Sequence, residues 1–219
     1  IGSQGVEYAL VAHWRAAGLL ERPVKPQPAS KLSQMVAVSG SISGVTAAQT
    51  DWAAANGFEL IPLDASASLD NRLWNTEIES AVRSALATLS SGRSPLVATA
   101  RGPTDGSVAK FREKLSTSGL DSIEVNGRIG SGLGEVLQRV MRAARIRRGA
   151  VSGGDTSGFA MRALGAYALE AIAPIAPGAP LCRVFSTDPE TDGFQITLKG
   201  GQMGDVDFFG SVRAGSATA

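Results

Sequence analysis

Glycines and hydroxyl residues directly after an apolar segment form the part of this sequence best suited to chemistry. Residues 149–152 are typical of a short buried strand, residues 152–158 run Ser-Gly-Gly-Asp-Thr-Ser-Gly, and an apolar pattern of helical spacing follows at Ala160, Ala163, Leu164, Tyr167 and Ala168. At a helix start, free backbone N–H groups and the positive end of the helix dipole attract anions, and glycines leave room for a phosphate. The pattern therefore favours a phosphate-binding turn, although an ordinary strand-to-helix connection has the same composition.

Asp155, Thr156 and Ser157 add a carboxylate and two hydroxyl groups to this turn. Side chains of these types cap helix N-termini by accepting hydrogen bonds from backbone N–H groups. A carboxylate beside phosphates is also a ligand that Mg²⁺ accepts. The three residues are therefore expected to cap the helix, to hold a magnesium ion through Asp155, or to do both at different stages.

Two more glycine-bearing turns follow predicted strands. Residues 39–44 run Ser-Gly-Ser-Ile-Ser-Gly, and residues 199–204 run Lys-Gly-Gly-Gln-Met-Gly. In an open parallel sheet, ligands bind beyond the carboxyl ends of the strands, where such loops converge. Lys199 is expected to neutralise a phosphate while the glycines after it wrap around the ligand. The three loops predict one anion site, and their residue types leave open whether the ligand is ATP, a dinucleotide or a phosphorylated sugar.

The elements that carry these turns alternate along the chain. Short strands that are apolar on both faces are separated by helices, as in a parallel sheet that is covered on two sides. This order predicts an α/β fold of three layers, with a mostly parallel, Rossmann-like sheet and helices on both faces. Strands are predicted at 34–38, 59–63, 95–100, 181–185 and 194–198, helices at 44–56, 75–90, 107–115 and in a long segment that ends near 147, and a turn at 174–180.

Composition narrows the classes of function. The 219 residues carry 21 basic and 20 acidic side chains, so the net charge of +1 provides no field to attract nucleic acid or a membrane surface. One cysteine, Cys182, and one histidine, His13, exclude an intramolecular disulfide, a cysteine-based zinc site and a histidine triad. A single cysteine, which has no partner for an intramolecular disulfide, indicates a location in the reducing cytoplasm. A solvated helix face is expected for the basic cluster of Arg139, Arg142, Arg145, Arg147 and Arg148.

Standard nucleotide fingerprints do not accompany the glycine turns. The sequence has no GxxxxGK[ST] run. Residues 130–134, Gly-Ser-Gly-Leu-Gly, follow a weak strand pattern, and no acidic residue stands at the distance that a dinucleotide fold requires. These observations disfavour a nicotinamide-dependent oxidoreductase.

Four segments in a fixed order resemble one family. They are residues 38–43 with Thr46 and Gln49, residues 152–158 with 163–165, residues 177–180, and residues 198–204 with 207–209. Together they resemble the C-terminal nucleotide-binding domain of the four-carbon acid sugar kinases, over nearly the whole chain. The sequence departs from the family at Ile42, where cysteine is frequent, and at Gln202 and Met203, where Asn-Phe is frequent.

The resemblance implies a kinase that passes the γ-phosphate of ATP, with Mg²⁺, to a four-carbon acid sugar such as threonate, erythronate or an oxo-tetronate. The acceptor and the catalytic residues beside it would belong to an N-terminal domain that this chain lacks, so the chain alone is expected to bind nucleotide and transfer nothing. A non-catalytic nucleotide or sugar-phosphate sensor is the alternative. The expected nucleotide-binding residues are Ser39, Gly40, Ser41, Gly153, Gly154, Asp155, Thr156, Ser157, Lys199, Gly200, Gly201 and Gly204.

The resemblance also divides the chain. Residues 1–29 are expected to hold the end of the preceding sugar-acid-binding domain and a linker, because three prolines fall within residues 21–28. Residues 30–211 would then form the nucleotide-binding domain, and residues 212–219 a tail. A homo-oligomer is compatible with the sequence, which does not specify how chains assemble.

Overall fold

Strands and helices alternate in the computed structural model, which describes residues 3–21 and 27–216. The strands of this part of the chain are β1 (Val36–Ser39), β2 (Phe58–Pro62), β3 (Ser94–Ala98), β4 (Arg148–Ser152), β5 (Ala166–Ala176), β6 (Ala179–Ser186) and β7 (Gln195–Lys199). The helices are α1 (Ser3–Ala16), α2 (Gly44–Ala55), α3 (Asn71–Ser90), α4 (Gly106–Ser118), α5 (Ser122–Ala143), α6 (Gly154–Ala163) and α7 (Phe208–Ala214), with a 3-10 turn at Ala65–Leu69.

The strands form one sheet in the order β2-β3-β1-β4-β7-β6-β5. Neighbours from β2 to β7 pair in parallel, and the hairpin of β5 and β6 adds two antiparallel strands at one edge. Ser39 pairs with Ser152, and Ser152 pairs with Lys199. The carboxyl ends of β1, β4 and β7 are therefore level. The predicted mostly parallel three-layer fold is confirmed.

Both faces of the central strands are buried under helices. Val36 and Val38 of β1 point into a core formed with α3, α5 and α6, whereas Ala37 points into a second core formed with α2 and α7. Because side chains alternate along a strand, this arrangement explains why the strand sequences are apolar at consecutive positions. It also places α2 and α6 on opposite faces of the sheet.

Helix α6 is shorter than the sequence pattern indicates. We expected Tyr167 and Ala168 to continue its apolar face, but the helix ends at Ala163 and both residues lie on β5. Gly165, at φ 61°, adopts the left-handed conformation that ends helices. Strand β5 escaped prediction because five of its eleven residues are alanine, which favours helices in isolation. Pairing with β6 outweighs that preference, and the turn expected at 174–180 shortens to the connection within this hairpin.

The glycines at 130–134 pack inside α5 and form no loop. A side chain at Gly132 would collide with Trp74, and one at Gly134 would collide with the backbone of Ala160. These glycines allow α5 to lie close to α3 and α6. Their spacing is thus explained by helix packing, in agreement with the weak dinucleotide pattern.

Arg148 does not lie on a solvated helix face, as we expected for the basic cluster. It is fully buried on β4, where its guanidinium donates to Gln195 Oε1 at 2.8 Å and to the carbonyl oxygen of Ser30 at 2.8 Å. It also donates to the carbonyl oxygen of Val212 at 3.3 Å. These bonds tie the sheet to the end of α7, so the packed chain extends to Ala214, two residues beyond the expected start of the tail.

Most of the expected linker, residues 22–26, lies outside the described residues. Among the residues that the structure does describe, no helix combines the length and apolar character that crossing a membrane requires.

Candidate functional site

The three predicted loops meet at the carboxyl edge of the sheet. The chain leaves β1 toward α2 on one face and leaves the adjacent β4 toward α6 on the other, which opens a crevice between the two strands. The backbone N–H of Gly40 donates to Ser152 O, and that of Gly153 donates to Lys199 O, each at 3.0 Å. The sheet pattern thus continues into the loops and holds them side by side. Such a crevice is the usual ligand site of an open α/β sheet.

A cavity of about 540 Å³ lies between the loops, and we call it the loop cavity. Its walls include predicted residues from all three loops together with Ile42, Ser43, Pro103 and Gln202. Other predicted residues lie beside or below it. Those on its walls are Gly40, Ser41, Gly153, Gly154, Asp155, Thr156 and Gly201, and those away from them are Ser39, Ser157, Lys199, Gly200 and Gly204.

The glycines of the loops have two different roles. A side chain at Gly40 would collide with Thr156 Oγ1, and Gly153, at φ 122°, would place its Cβ 2.9 Å from the same atom. Glycine at position 40 therefore lets the first loop approach the second, and glycine at position 153 allows the positive φ at the start of α6. In contrast, a Cβ at Gly154 would have no atom within 4 Å among the described residues. Gly154 therefore leaves space open at the start of α6.

The N-terminus of α6 has no side-chain cap, which corrects one of our expectations. The capping position is Gly153, and Asp155, Thr156 and Ser157 follow it inside the helix. Ser157 Oγ donates to the carbonyl oxygen of Gly153 at 2.7 Å, so it does not accept from the helix. The first N–H groups of a helix lack partners within the helix. In α6 they face the loop cavity without competition from a capping side chain.

The N-terminus of α2 differs, because Ser43 caps it. The backbone N–H of Thr46 donates to Ser43 Oγ at 3.1 Å. Ser43 Oγ also donates to the carbonyl oxygen of Gly201, which ties the first loop to the third. The first loop is therefore in part an ordinary strand-to-helix connection, which the sequence left open as the alternative to a phosphate-binding turn. The positive end of α6 is the better anion site.

Thr46 connects the three loops below the cavity. Its hydroxyl oxygen lies 3.0 Å from both Ser41 Oγ and Gly201 O, and 3.3 Å from Ser152 Oγ. The residue is almost fully buried. Thr46 was absent from the expected site residues, although it belongs to the segments that carry the family resemblance. Its position in the first turn of α2, beside the end of β7, could not be read from local spacing.

Lys199 lies beneath the loops and has almost no exposed surface. Its ammonium group donates to Thr46 Oγ1 at 3.0 Å and to the carbonyl oxygen of Gly200 at 3.3 Å. It also lies 5.5 Å from the centre of the Phe208 ring. Burial lowers the pKa of Lys199 to about 8, because removing the ammonium group from water disfavours its charged form. The positive charge of Lys199 therefore lies beneath the loop cavity, and Thr46 and Ser41 connect it to the cavity wall.

Gln49 fixes the end of the third loop. Its Nε2 atom lies 2.9 Å from each of the carbonyl oxygens of Met203, Gly204 and Asp205. The side chain is fully buried on α2. Like Thr46, Gln49 was recognised only through the family resemblance, since a buried glutamine is not distinctive in sequence.

Replacement of Gln49 by leucine is expected to lower the free energy of unfolding by roughly 2 kcal/mol, because buried carbonyl oxygens lose their donor. Urea unfolding measures this difference. Gln138→Leu, at a partly exposed position of α5, is the control and should change stability by less than about 0.5 kcal/mol. Equal stability of Gln49→Leu and the original chain would contradict a clamping role.

Acidic residues do not form a ready-made metal site. Among the described residues, no group of three or more His, Cys, Asp or Glu side chains is close enough to hold an ion. Asp155 is exposed on the wall of the loop cavity. A single carboxylate fits Mg²⁺ that arrives with phosphates, because Mg²⁺ keeps several waters and needs only one or two protein carboxylates.

Residues 36–209 match the model of a family described as a nucleotide-binding C-terminal domain. The chain is 45% identical over 213 residues to a 3-oxo-isoapionate kinase of Paraburkholderia graminis, which covers 97% of this chain and 45% of that protein. It is 30% identical over 171 residues to a D-threonate kinase of Salmonella typhimurium, with coverage of 78% and 39%. The chain thus spans less than half the length of these relatives.

The fold also matches a solved structure. A Haemophilus influenzae protein of the DUF1537 family superposes with a TM-score of 0.67 at 21% identity, over 91% of this chain and 44% of that one. The likeness supports the arrangement of layers and strands described above.

Proposed function

The chain belongs to the four-carbon acid sugar kinase family, in which it matches the nucleotide-binding C-terminal domain, and from this premise we propose that its loop cavity binds the phosphates of ATP. The observation that carries the proposal is the uncapped N-terminus of α6, which opens onto a cavity walled by three loops. Backbone N–H groups at such a position bind phosphate through hydrogen bonds and the helix dipole.

Each loop would contribute a different element of phosphoryl transfer. This reaction asks a protein chiefly to position ATP and to stabilise the charge on the transferring phosphate. The first turn of α6 supplies N–H donors, Ser41 supplies a hydroxyl group on the opposite wall, and Lys199 supplies positive charge beneath both. Mg²⁺ bound to the phosphates would neutralise further charge, with Asp155 as its one protein carboxylate.

We assign the acceptor and its base to the part of the relatives that this chain does not span. The names of those relatives indicate a sugar acid, in most cases an oxo acid, as the acceptor in those proteins. The complete protein would then transfer the γ-phosphate to such an acid, whereas this chain alone would bind nucleotide without turnover. Cytoplasmic location and self-association stay predictions.

Calorimetric titration of this chain with ADP and Mg²⁺ tests the binding half of the proposal. We expect saturable binding to one site, and a rise in Tm with nucleotide concentration. Absence of both at millimolar ADP would refute it. Acid-dependent release of ADP from ATP by the complete protein tests the catalytic half; binding without any such release would favour a nucleotide sensor.

Asp155→Asn is expected to weaken Mg²⁺-dependent ADP binding several-fold while changing the free energy of unfolding by less than about 1 kcal/mol, because Asp155 is exposed and caps nothing. Titrations with Mg²⁺ and with EDTA measure the difference. The EDTA arm is the control, since loss of a negative charge should leave metal-free ADP binding equal or stronger. Unchanged Mg²⁺ dependence would remove Asp155 from the metal site.

A further inference from the structure

A second cavity continues the loop cavity along the carboxyl edge of the sheet. It measures about 320 Å³ and shares the walls formed by Gly40 and Ile42 with the loop cavity. Its remaining walls come from α4, α5 and the ends of neighbouring elements. We call it the side cavity. A ligand held by its phosphates at α6 can therefore extend past Ile42 into this space.

The two cavities differ in chemistry. Glycines and hydroxyl groups dominate the loop cavity, whereas the side cavity has an apolar wall of Val108, Phe111, Leu115 and Ile129. Its polar side chains are those of Thr99, Ser107, Arg112 and Asn126. Sites for flat heterocycles are mostly apolar, with a small number of polar groups that fix orientation, and begin at about 300 Å³.

Ile42 lies where the two cavities join. Its side chain is 40% exposed, and it belongs to both cavity walls. Contact with a bound ligand would cover this apolar surface. In a nucleotide whose phosphates bind at α6 and whose base enters the side cavity, the sugar would lie beside Ile42.

A third cavity, of about 510 Å³, is less suited to the base. It lies at the ends of β2 and β3 and has five charged residues on its walls, Asp64, Glu77, Arg101, Asp105 and Lys110, whereas the side cavity has one, Arg112. It shares Thr99, Ala100 and Ser107 with the side cavity, but its walls contain no residue of the three loops. We call it the edge cavity. A nucleotide anchored at α6 reaches the side cavity first.

We propose that the side cavity holds the purine base of the nucleotide, so that the ligand lies along the sheet edge from α6, across Gly40 and Ile42, to α4. The inference rests on the proposed nucleotide function and adds its direction and its base-binding residues. The sequence did not indicate this cavity, because its walls come from five separate parts of the chain.

A matched pair of substitutions on α4 tests the direction. Val108 is partly buried and lines the side cavity, whereas Lys110, two residues later, is exposed and lines the edge cavity. Val108→Trp should fill the side cavity and weaken ADP binding at least tenfold, while leaving the binding of pyrophosphate unchanged. Lys110→Trp should retain ADP binding; any effect of its lost charge would weaken ADP and pyrophosphate alike. Calorimetric titration of the two variants with ADP and with pyrophosphate gives the four dissociation constants.

The outcomes separate this inference from the function on which it rests. If the original chain binds neither ADP nor pyrophosphate, the proposed function fails. If it binds both, but Val108→Trp retains full ADP affinity or Lys110→Trp selectively loses ADP, the base lies elsewhere and only the inference fails. Should Val108→Trp fold poorly by Tm, Ile42→Ala decides: we expect a several-fold loss for ADP and none for pyrophosphate, and equal ADP affinity would overturn the proposal.

Discussion

Replacing Gly154 with valine is expected to weaken ADP binding at least a hundredfold while the chain remains folded. A Cβ at this position meets no described atom within 4 Å, so the backbone accommodates the substitution. The isopropyl group then occupies the space in front of the first N–H groups of α6, where a phosphate must approach closely. Calorimetric titration with ADP and Mg²⁺ measures the loss, and circular dichroism with Tm checks the fold.

Gly158→Val is the matched control for this substitution. Gly158 lies on the same helix and is exposed, and a Cβ added there would likewise have no described atom within 4 Å. It is not part of the loop cavity wall. Both changes put the same β-branched side chain on α6 in place of glycine, which has the lower helix propensity of the two. Equal ADP affinities in the two variants would show that phosphate does not bind at the start of α6.

The meeting of the three loops could be predicted from sequence because it depends on local signals and one general rule. Apolar runs end at Ser39, Ser152 and Lys199, and the carboxyl ends of parallel strands lie at one edge of the sheet. The glycine-rich turns that follow β1 and β4 mark the position of the crevice. Order along the chain and apolar pattern were sufficient for this part.

Other features depend on contacts that sequence spacing does not encode. Asp155 was an equal candidate for capping until the structure placed Gly153 at the capping position of α6 and Ser43 at that of α2. Strand β5 exists because β6 pairs with it, against the helical preference of its residues. The depth of Lys199 likewise follows from the packing of α2 and α7 over β7, and no local pattern separates a buried lysine from an exposed one.

The buried position of Lys199 leads to the second large effect, in which stability and affinity change in opposite directions. Lys199→Met keeps the volume and removes the charge, so at pH 7 it is expected to raise the free energy of unfolding by on the order of 2 kcal/mol, since apolar replacement of a buried ion is often stabilising. ADP affinity should fall about tenfold, because positive charge beneath Ser41 and Thr46 is lost. Urea unfolding and calorimetry measure the two changes.

The pH dependence identifies the charge as the cause. The pKa of Lys199 is about 8 in the folded chain and 10.5 when unfolded, so between these values the unfolded chain binds more protons at this position. The contribution of Lys199 to the free energy of unfolding therefore rises with pH from about 8 to 10.5, and the advantage of Lys199→Met should shrink over that window. Its ADP affinity should also lose the decline above pH 8 expected of the original chain. Lys114→Met, at an exposed position of α4, is the control and should show neither effect. A difference in stability that stays constant from pH 7 to 10 would mean that Lys199 keeps its proton in the folded chain throughout, so that burial does not lower its pKa.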